Sequence, residues 1–362
     1  MSSPSYFREK PYNITLEAGR VLITSPAFDT YWRFASQRQA LFMQRVAGNP
    51  PPWTNDQVLA SHRFTNVYRA SDRVSQYLIR HVIYNGLHSN DEVVFRILLF
   101  KIFNRIETWN VLEDNLGQLT WKTFAFERYA KILDAVLADG QRIYSAAYIM
   151  PSPAFGDARK HRNHLKLLEF MMRDGVATKV NKAKALADVF NILVNYRSLG
   201  DFLAFQFTID LNYSEVVNFS EMDFVIAGPG ARDGIRKCFI DTAGLSEADI
   251  IRIMAEHAEY EFKRLNLKFQ NLWGRPLQLI DCQNLFCELS KYARVVHPEI
   301  IGESNRTRIK QKYVPKLTPV PQWYPPKWGL NIPLSLQNSQ SNIITKRQPR
   351  QQKLEFMIGS NP

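Results

Sequence analysis

At 362 residues, with 45% hydrophobic and 12% aromatic side chains, the chain can bury one large core or two smaller ones. No stretch approaches the eighteen apolar residues of a membrane span, and the opening MSSPSYFREKPYN lacks the apolar core of a secretory signal. No membrane-spanning helix is expected, and a cytoplasmic or nucleoid-associated location, nuclear in a eukaryote, is expected. Cys238, Cys282 and Cys287 form no CxxC pair, and an odd count suits a reducing compartment with buried thiols. The net charge is +12, and ten Lys or Arg against one acid lie between Ser304 and Pro362, so nine of those charges belong to the tail. Such a tail adds sequence-independent attraction to phosphates, or serves solubility alone.

In chain order, residues 1–25 read as an N-terminal arm. PAFDTYWRFASQRQALFMQRV at 26–46 places Phe28, Trp32, Ala35, Phe42 and Val46 at helical spacing, and GNPPPW at 48–53 stops that helix. Asn55 or Asp56 can cap a second helix. Further helices are predicted at about 72–84, 91–104, 121–139, 161–173, 179–196 and 200–212. No segment alternates convincingly enough for a strand set, so the class is all-α. From 303 to 334 prolines and aromatics alternate too densely for a helix, which predicts an extended arm over the body. Residues 335–362 are polar, basic and predicted to be disordered.

The local signal with most functional content is FVIAGPGARDGIRKCF at 224–239. Here 224–226 are expected to end a short helix, Gly228-Pro229-Gly230 to turn, and Ala231 to begin a second helix, giving a helix-hairpin-helix at about 221–240. Backbone amides exposed at such a bend favour a phosphate, so Gly228, Gly230 and Arg232 are predicted to touch one DNA strand. The bend also suits a monovalent cation; no other cofactor is expected. The plain alternative is a helical corner with glycine at the bend. Farther on, Asp281 falls near the start of a helix predicted from the DCQN segment, with an intervening helix at about 246–266. There it can either stabilise charge at an extruded nucleotide or merely cap the helix. Gln206 and Asp210 lie four apart in an apolar helix, where burying a carboxylate is costly without a partner. They line a pocket with Asp281, or they satisfy a loop.

Between 53 and 77, Arg63, Arg69 and Arg73 offer forked donors to phosphate. Asn66 and Asp72 suit a base edge, and Trp53 and Tyr68 suit stacking on a flipped base, although aromatics and arginines at helical spacing are also core and rim. His161 and His164 are three apart without a third ligand at standard spacing, so no metal site is expected. Gln351-Gln-Lys-Leu-Glu-Phe356 fits a loose sliding-clamp peptide pattern.

Six blocks carry a family resemblance: PPWTNDQVL at 51–59, RFTNVYRASDRVSQY at 63–77, FRILLFKIFNRIETW at 95–109, GDFLAFQFTIDLNY at 200–213, GPGAR at 228–232 and DCQN at 281–284. Together they resemble the α-glutamyl/putrescinyl thymine pyrophosphorylases and, most closely, the helical domain attached to 5-hydroxymethyl-deoxyuridine DNA kinase, over about 26–297. The resemblance implies a DNA-glycosylase-like helical domain, here 26–302, that binds double-stranded DNA and acts on thymine-derived bases. In such chemistry an amine displaces pyrophosphate from an activated hydroxymethyl group. No GxxxxGK[ST] loop occurs in these 362 residues, so phosphorylation would fall to a separate kinase. The competing expectations are a non-catalytic DNA-binding module that recruits a kinase or sliding clamp, and a glycosylase that excises a modified pyrimidine.

Overall fold

The computed structural model describes residues 12–16, 19–314, 322–333 and 336, and nearly all of its regular elements are helices. The first is α1 (Pro26–Val46), where Ser25 Oγ accepts the Ala27 N–H at 3.0 Å and Pro26 occupies the first turn, where its missing donor costs nothing. The next two are α2 (Gln57–Ser61), capped by Asp56 Oδ1 on the Val58 and Leu59 amides at 2.8 Å each, and α3 (Arg73–Tyr77). The stretch predicted as one helix at 72–84 changes pitch after Tyr77 into a wider π-helical turn, Leu78–Ile83. Arg96 holds carbonyls of that turn, donating from Nε to Val82 O at 2.7 Å and from Nη2 to Ile83 O at 3.2 Å.

Arg96 belongs to α4 (Asn90–Phe103), which is buried around nearly its whole circumference. Asn104, in the left-handed conformation at φ 48°, ends it and turns the chain into α5 (Ile106–Leu116). Then come α6 (Phe126–Ala138), α7 (Lys160–Arg173), α8 (Val176–Asn181), α9 (Leu186–Val194) and α10 (Asp201–Asn212). The later part holds α11 (Pro229–Cys238), α12 (Glu247–Glu256), α13 (Ala258–Arg264) and α14 (Leu279–Val296). The region predicted as one helix at 179–196 starts earlier and is two, and the helix predicted at 246–266 breaks at His257 into α12 and α13.

Two corrections concern strands and the hairpin. The chain does contain a small antiparallel sheet of β1 (Asn13–Thr15), β2 (Val21–Thr24) and β3 (Phe239–Asp241), in that spatial order. Strands of three and four residues are too short for alternation to register in a sequence. The short helix expected to end at 224–226 is absent: α10 ends at Asn212, and 213–228 reaches α11 without a helix. In that stretch Val225 and Ala227 are buried while Phe224 and Ile226 are half-buried, the alternation of an extended chain; Phe224 stands against Phe190 and Phe205.

The helices α11 and α14 pack closely because Gly234 has no side chain. A Cβ there would lie 2.1 Å from the Phe286 carbonyl oxygen. Asp233, one residue earlier, receives the Ser290 hydroxyl of α14 and the Ser304 N–H, the latter at 2.8 Å. Segment 301–314 then runs beside α2, pairing Arg63 N–H with Gln311 O and Tyr313 N–H with Ser61 O, each at 3.0 Å. Farther along, Tyr324 is buried with its hydroxyl 2.7 Å from Ser71 Oγ, and Trp328 lies over the Arg275 guanidinium at 3.8 Å.

Replacing Gly234 with Ala forces α11 and α14 apart. Overpacking of this kind costs on the order of 1–3 kcal/mol, so the urea midpoint should fall clearly while the denaturant slope stays the same.

Candidate functional site

Four of the residues singled out in the sequence converge where α10, α14 and the turn Arg69–Ser71 meet. Asp281 sits in the first turn of α14 and is buried. Its Oδ2 accepts the Gln278 N–H at 3.1 Å, which caps the helix, and its Oδ1 accepts the Arg69 N–H at 2.9 Å. Thus the carboxylate both starts α14 and anchors the Arg69 turn against it. Burial, with Glu221 nearby adding negative potential, pushes its carboxyl up to about 7, while the two amides pull the other way.

The Arg69 side chain leaves that turn in the opposite direction, into the core. Its Nη1 is 2.7 Å from Asp210 Oδ1 and 3.1 Å from the Tyr213 hydroxyl, and its Nε donates to Gln206 Oε1 at 2.9 Å. Lys101, from the last turn of α4, approaches the other Asp210 oxygen at 2.7 Å. Burial alone would raise the Asp210 carboxyl, but Arg69 and Lys101 hold it below the usual range. Burial pushes Lys101 down to about 8, against the opposing pull of Asp210. Gln206 and Asp210 are thus brought to Arg69 by the i, i+4 spacing on one face of α10.

A second layer of polar contacts joins residues 65–72 to α14. Asp72 Oδ1 accepts the Asn66 N–H at 2.8 Å, and burial raises its carboxyl to about 6 despite that amide and the nearby Arg38. Asn284 donates to Thr65 Oγ1 at 3.0 Å and to Asn66 O at 3.3 Å, while Glu288 Oε2 accepts the Thr65 N–H at 3.0 Å. The chain from 64 to 72 is therefore stitched to α14 by polar side chains.

The bend at 228–230 lies at the start of α11. Gly228 is buried, Pro229 exposed and Gly230 half-buried. The space glycine leaves at each position is filled by protein: a Cβ on Gly228 would meet the Phe202 ring at 2.5 Å, and one on Gly230 would meet Cys287 Sγ at 3.0 Å. Arg232, Arg63 and Arg73 are exposed, the last 3.5 Å from Glu107. Trp53 is half-buried beside Arg45, with its indole N–H on Asn49 O at 2.7 Å. Tyr68 is buried and donates to Arg275 O at 2.8 Å. Tyr68 borders the four residues around Asp281, whose negative potential adds to burial in raising the Tyr68 hydroxyl.

His161 pairs with Asp134 at 2.8 Å, and His164 is held between the Tyr144 hydroxyl and Pro151 O. Among the described residues no group of three His, Cys, Asp or Glu is placed to hold a metal ion, and no helix is long and apolar enough to cross a membrane. The peptide Gln351–Phe356 lies outside the described residues. Lys101, Tyr213 and Asn284 join the site without having been expected from the sequence. A lysine inside the apolar run FRILLFKIF was the available signal for the first of them.

An all-helical domain whose core encloses an Arg69–Asp210–Lys101 cluster beside a buried acid is the class the geometry defines. The family described as "5-hmdU DNA kinase, helical domain" matches residues 25–302, and the chain belongs to that family. A 5-hmdU DNA kinase of Bacillus phage SP10 is 27% identical over 316 residues, covering 80% of this chain and 48% of the relative. The chain thus spans about half the length of that curated relative. No solved structure matches.

The cluster makes two expectations measurable. Asp210→Asn leaves Arg69 and Lys101 buried without their carboxylate; breaking a buried pair in this way costs roughly 3–5 kcal/mol, which a denaturant titration will read. For Asp281, the folded carboxyl titrates at about 7 against the unfolded 3.8. Between these values the folded state binds more protons, so this group makes stability fall as pH rises from about 4 to about 7, then level off. Asp281→Asn should remove that component: the stability difference between variant and wild type should move in the variant's favour across this window and stay flat above it. A pH-independent difference contradicts the raised carboxyl.

Proposed function

We propose that this chain binds double-stranded DNA and acts in the hypermodification of thymine-derived bases, as a transferase working on an extruded 5-hydroxymethyluracil nucleotide. The observation that carries this reading is Asp281, a buried acid titrating near neutrality beside an Arg69–Gln206–Asp210 cluster, in a member of the 5-hmdU DNA kinase helical-domain family. A carboxyl poised near 7 suits a general base. Each Asp281 oxygen accepts one amide and retains a further lone pair. In the substitution proposed, an amine nitrogen bonds to the methylene carbon on the base as the bond from that carbon to a pyrophosphate oxygen breaks. Pyrophosphate leaves with the electron pair, and Asp281 takes the proton released by the amine.

The exposed Arg63, Arg73 and Arg232, with the amides at the start of α11, would hold the DNA backbone. Asn66 and Asp72 would face a base edge, and Trp53 and Tyr68 would stack on the extruded base. These 362 residues contain no P-loop, so the phosphorylation named for the phage relative would fall to another polypeptide segment. Clamp docking through Gln351–Phe356 is compatible with this scheme.

One observation favours a second reading, a DNA-binding module without chemistry. Both Asp281 oxygens take backbone amides, a complete role in building the fold. Asp281→Asn separates the two. The test is mass spectrometry of nucleosides from 5-hydroxymethyluracil DNA carrying the activated base, incubated with the protein and candidate amines. The transferase reading expects a modified nucleoside whose formation falls about 10²–10⁴-fold in Asp281→Asn, with DNA affinity retained. No new nucleoside from wild type on any such substrate, with DNA binding intact, leaves the binding module; loss of DNA binding altogether defeats both. Replacing Arg63, Arg73 or Arg232 singly with Ala should weaken binding to all sequences alike and lower the salt slope by about one for each phosphate no longer neutralised.

A further inference from the structure

The Arg69–Asp210–Lys101 cluster holds two buried cations on one carboxylate: Arg69 Nη1 and Lys101 Nζ each lie 2.7 Å from a different Asp210 oxygen, with all three side chains at most 4% exposed. The three side chains sum to one positive charge, which the Asp72 carboxylate near Arg69 offsets in part. Lys101 bears the greater share of the shortfall, because Arg69 also has Gln206 and the Tyr213 hydroxyl, whereas the ammonium meets the ring of Tyr148, 4.3 Å from Nζ to the centroid. A ring quadrupole compensates an ammonium only in part. Even pushed down to about 8 by burial, Lys101 remains mostly charged at neutral pH.

Tyr148 is set apart from an ordinary core aromatic. It comes from the connection 139–159 between α6 and α7, which has no helix or strand of its own, and connections of that length are commonly functional. Its φ is 56°, an uncommon conformation for a residue with a side chain. Tyr148 as a residue is half-buried, and the next residue, Ile149, is 68% exposed. Tyr148 also stacks on Phe202 at 5.9 Å and 20°, and Phe202 is the ring that lies against Gly228 at the bend. The Tyr148 ring therefore joins Phe202 at the bend to the buried ammonium.

We infer that Lys101 and Arg69 form an oxyanion subsite of the phosphate type, covered in this structure by the Tyr148 ring, which turns aside when the anion enters. An anionic oxygen supplies the full negative charge for which the ring is a partial substitute. The subsite rests on the DNA reading above only for its source of anion, a phosphate of the bound nucleotide; a free phosphate has the same chemistry.

The test titrates the full chain with inorganic phosphate by calorimetry and, separately, with a 5-hydroxymethyluracil duplex by fluorescence anisotropy, for wild type, Lys101→Met, Tyr148→Ala and Tyr148→Phe. Lys101→Met should weaken at least one of the two more than tenfold. Tyr148→Ala should tighten the same ligand about fivefold, the equivalent of removing a competing cation–π interaction, while Tyr148→Phe stays at the wild-type value. Weakening confined to the duplex assigns the anion to nucleic acid; phosphate binding that depends on Lys101 in a protein that ignores DNA upholds the subsite and defeats the DNA reading instead. If Lys101→Met and Tyr148→Ala both leave both affinities within twofold of wild type, the inference is overturned. Should Lys101→Met fail to fold, an unchanged Tyr148→Ala overturns it alone.

Discussion

Arg69 is the residue on which the two halves of the site depend, because it is held at both ends by carboxylates from different helices. Its backbone amide donates to Asp281 on α14, and its guanidinium pairs with Asp210 on α10. A guanidinium at this depth would be costly alone, and so would either acid. The cost is offset only when all are assembled, so the turn at 69–71, the start of α14 and the face of α10 take up one arrangement. Lys101 then extends the same network into α4. Fold and site are consequently one construction: the acid read as catalytic is also a helix cap, and the arginine read as a phosphate donor is also a tie between helices.

That dual use explains what the sequence disclosed and what it concealed. The 3.6-residue periodicity of 26–46 marked α1, and the apolar run opened by Gly200 marked α10, each to within a residue. Breaks inside helical patterns were hidden. The change of pitch at Leu78–Ile83 and the split at His257 involve no proline or glycine, so composition carried no punctuation there. The sheet was hidden by its size. The stretch before Gly228 is ambiguous in sequence because apolar residues in succession fit a helix end and an extended buried chain equally well, and length alone does not arbitrate over four residues.

For the candidate site, the informative positions were charged groups in apolar surroundings. Asp210 and Gln206 stood out because their helix offers no polar face, and the structure sets both against Arg69. The same argument applies to Lys101 in FRILLFKIF, and the charge there is paired with Asp210. Tyr148 had no comparable signal, since neither its positive φ nor its approach to Lys101 is encoded in a local pattern. The glycine bend shows the converse: its small residues are needed, but the groups nearest to them are Phe202 and Cys287. Close approach was legible in the sequence, and the identity of what approaches was not.

The most direct measurement is a structure of the chain bound to a duplex carrying one 5-hydroxymethyluracil. The account predicts that base turned out of the helix, with its substituted methylene carbon facing the Asp281 carboxyl and the flanking backbone against the start of α11. A base left stacked in the duplex, or extruded to a place remote from Asp281 and Arg69, would contradict it.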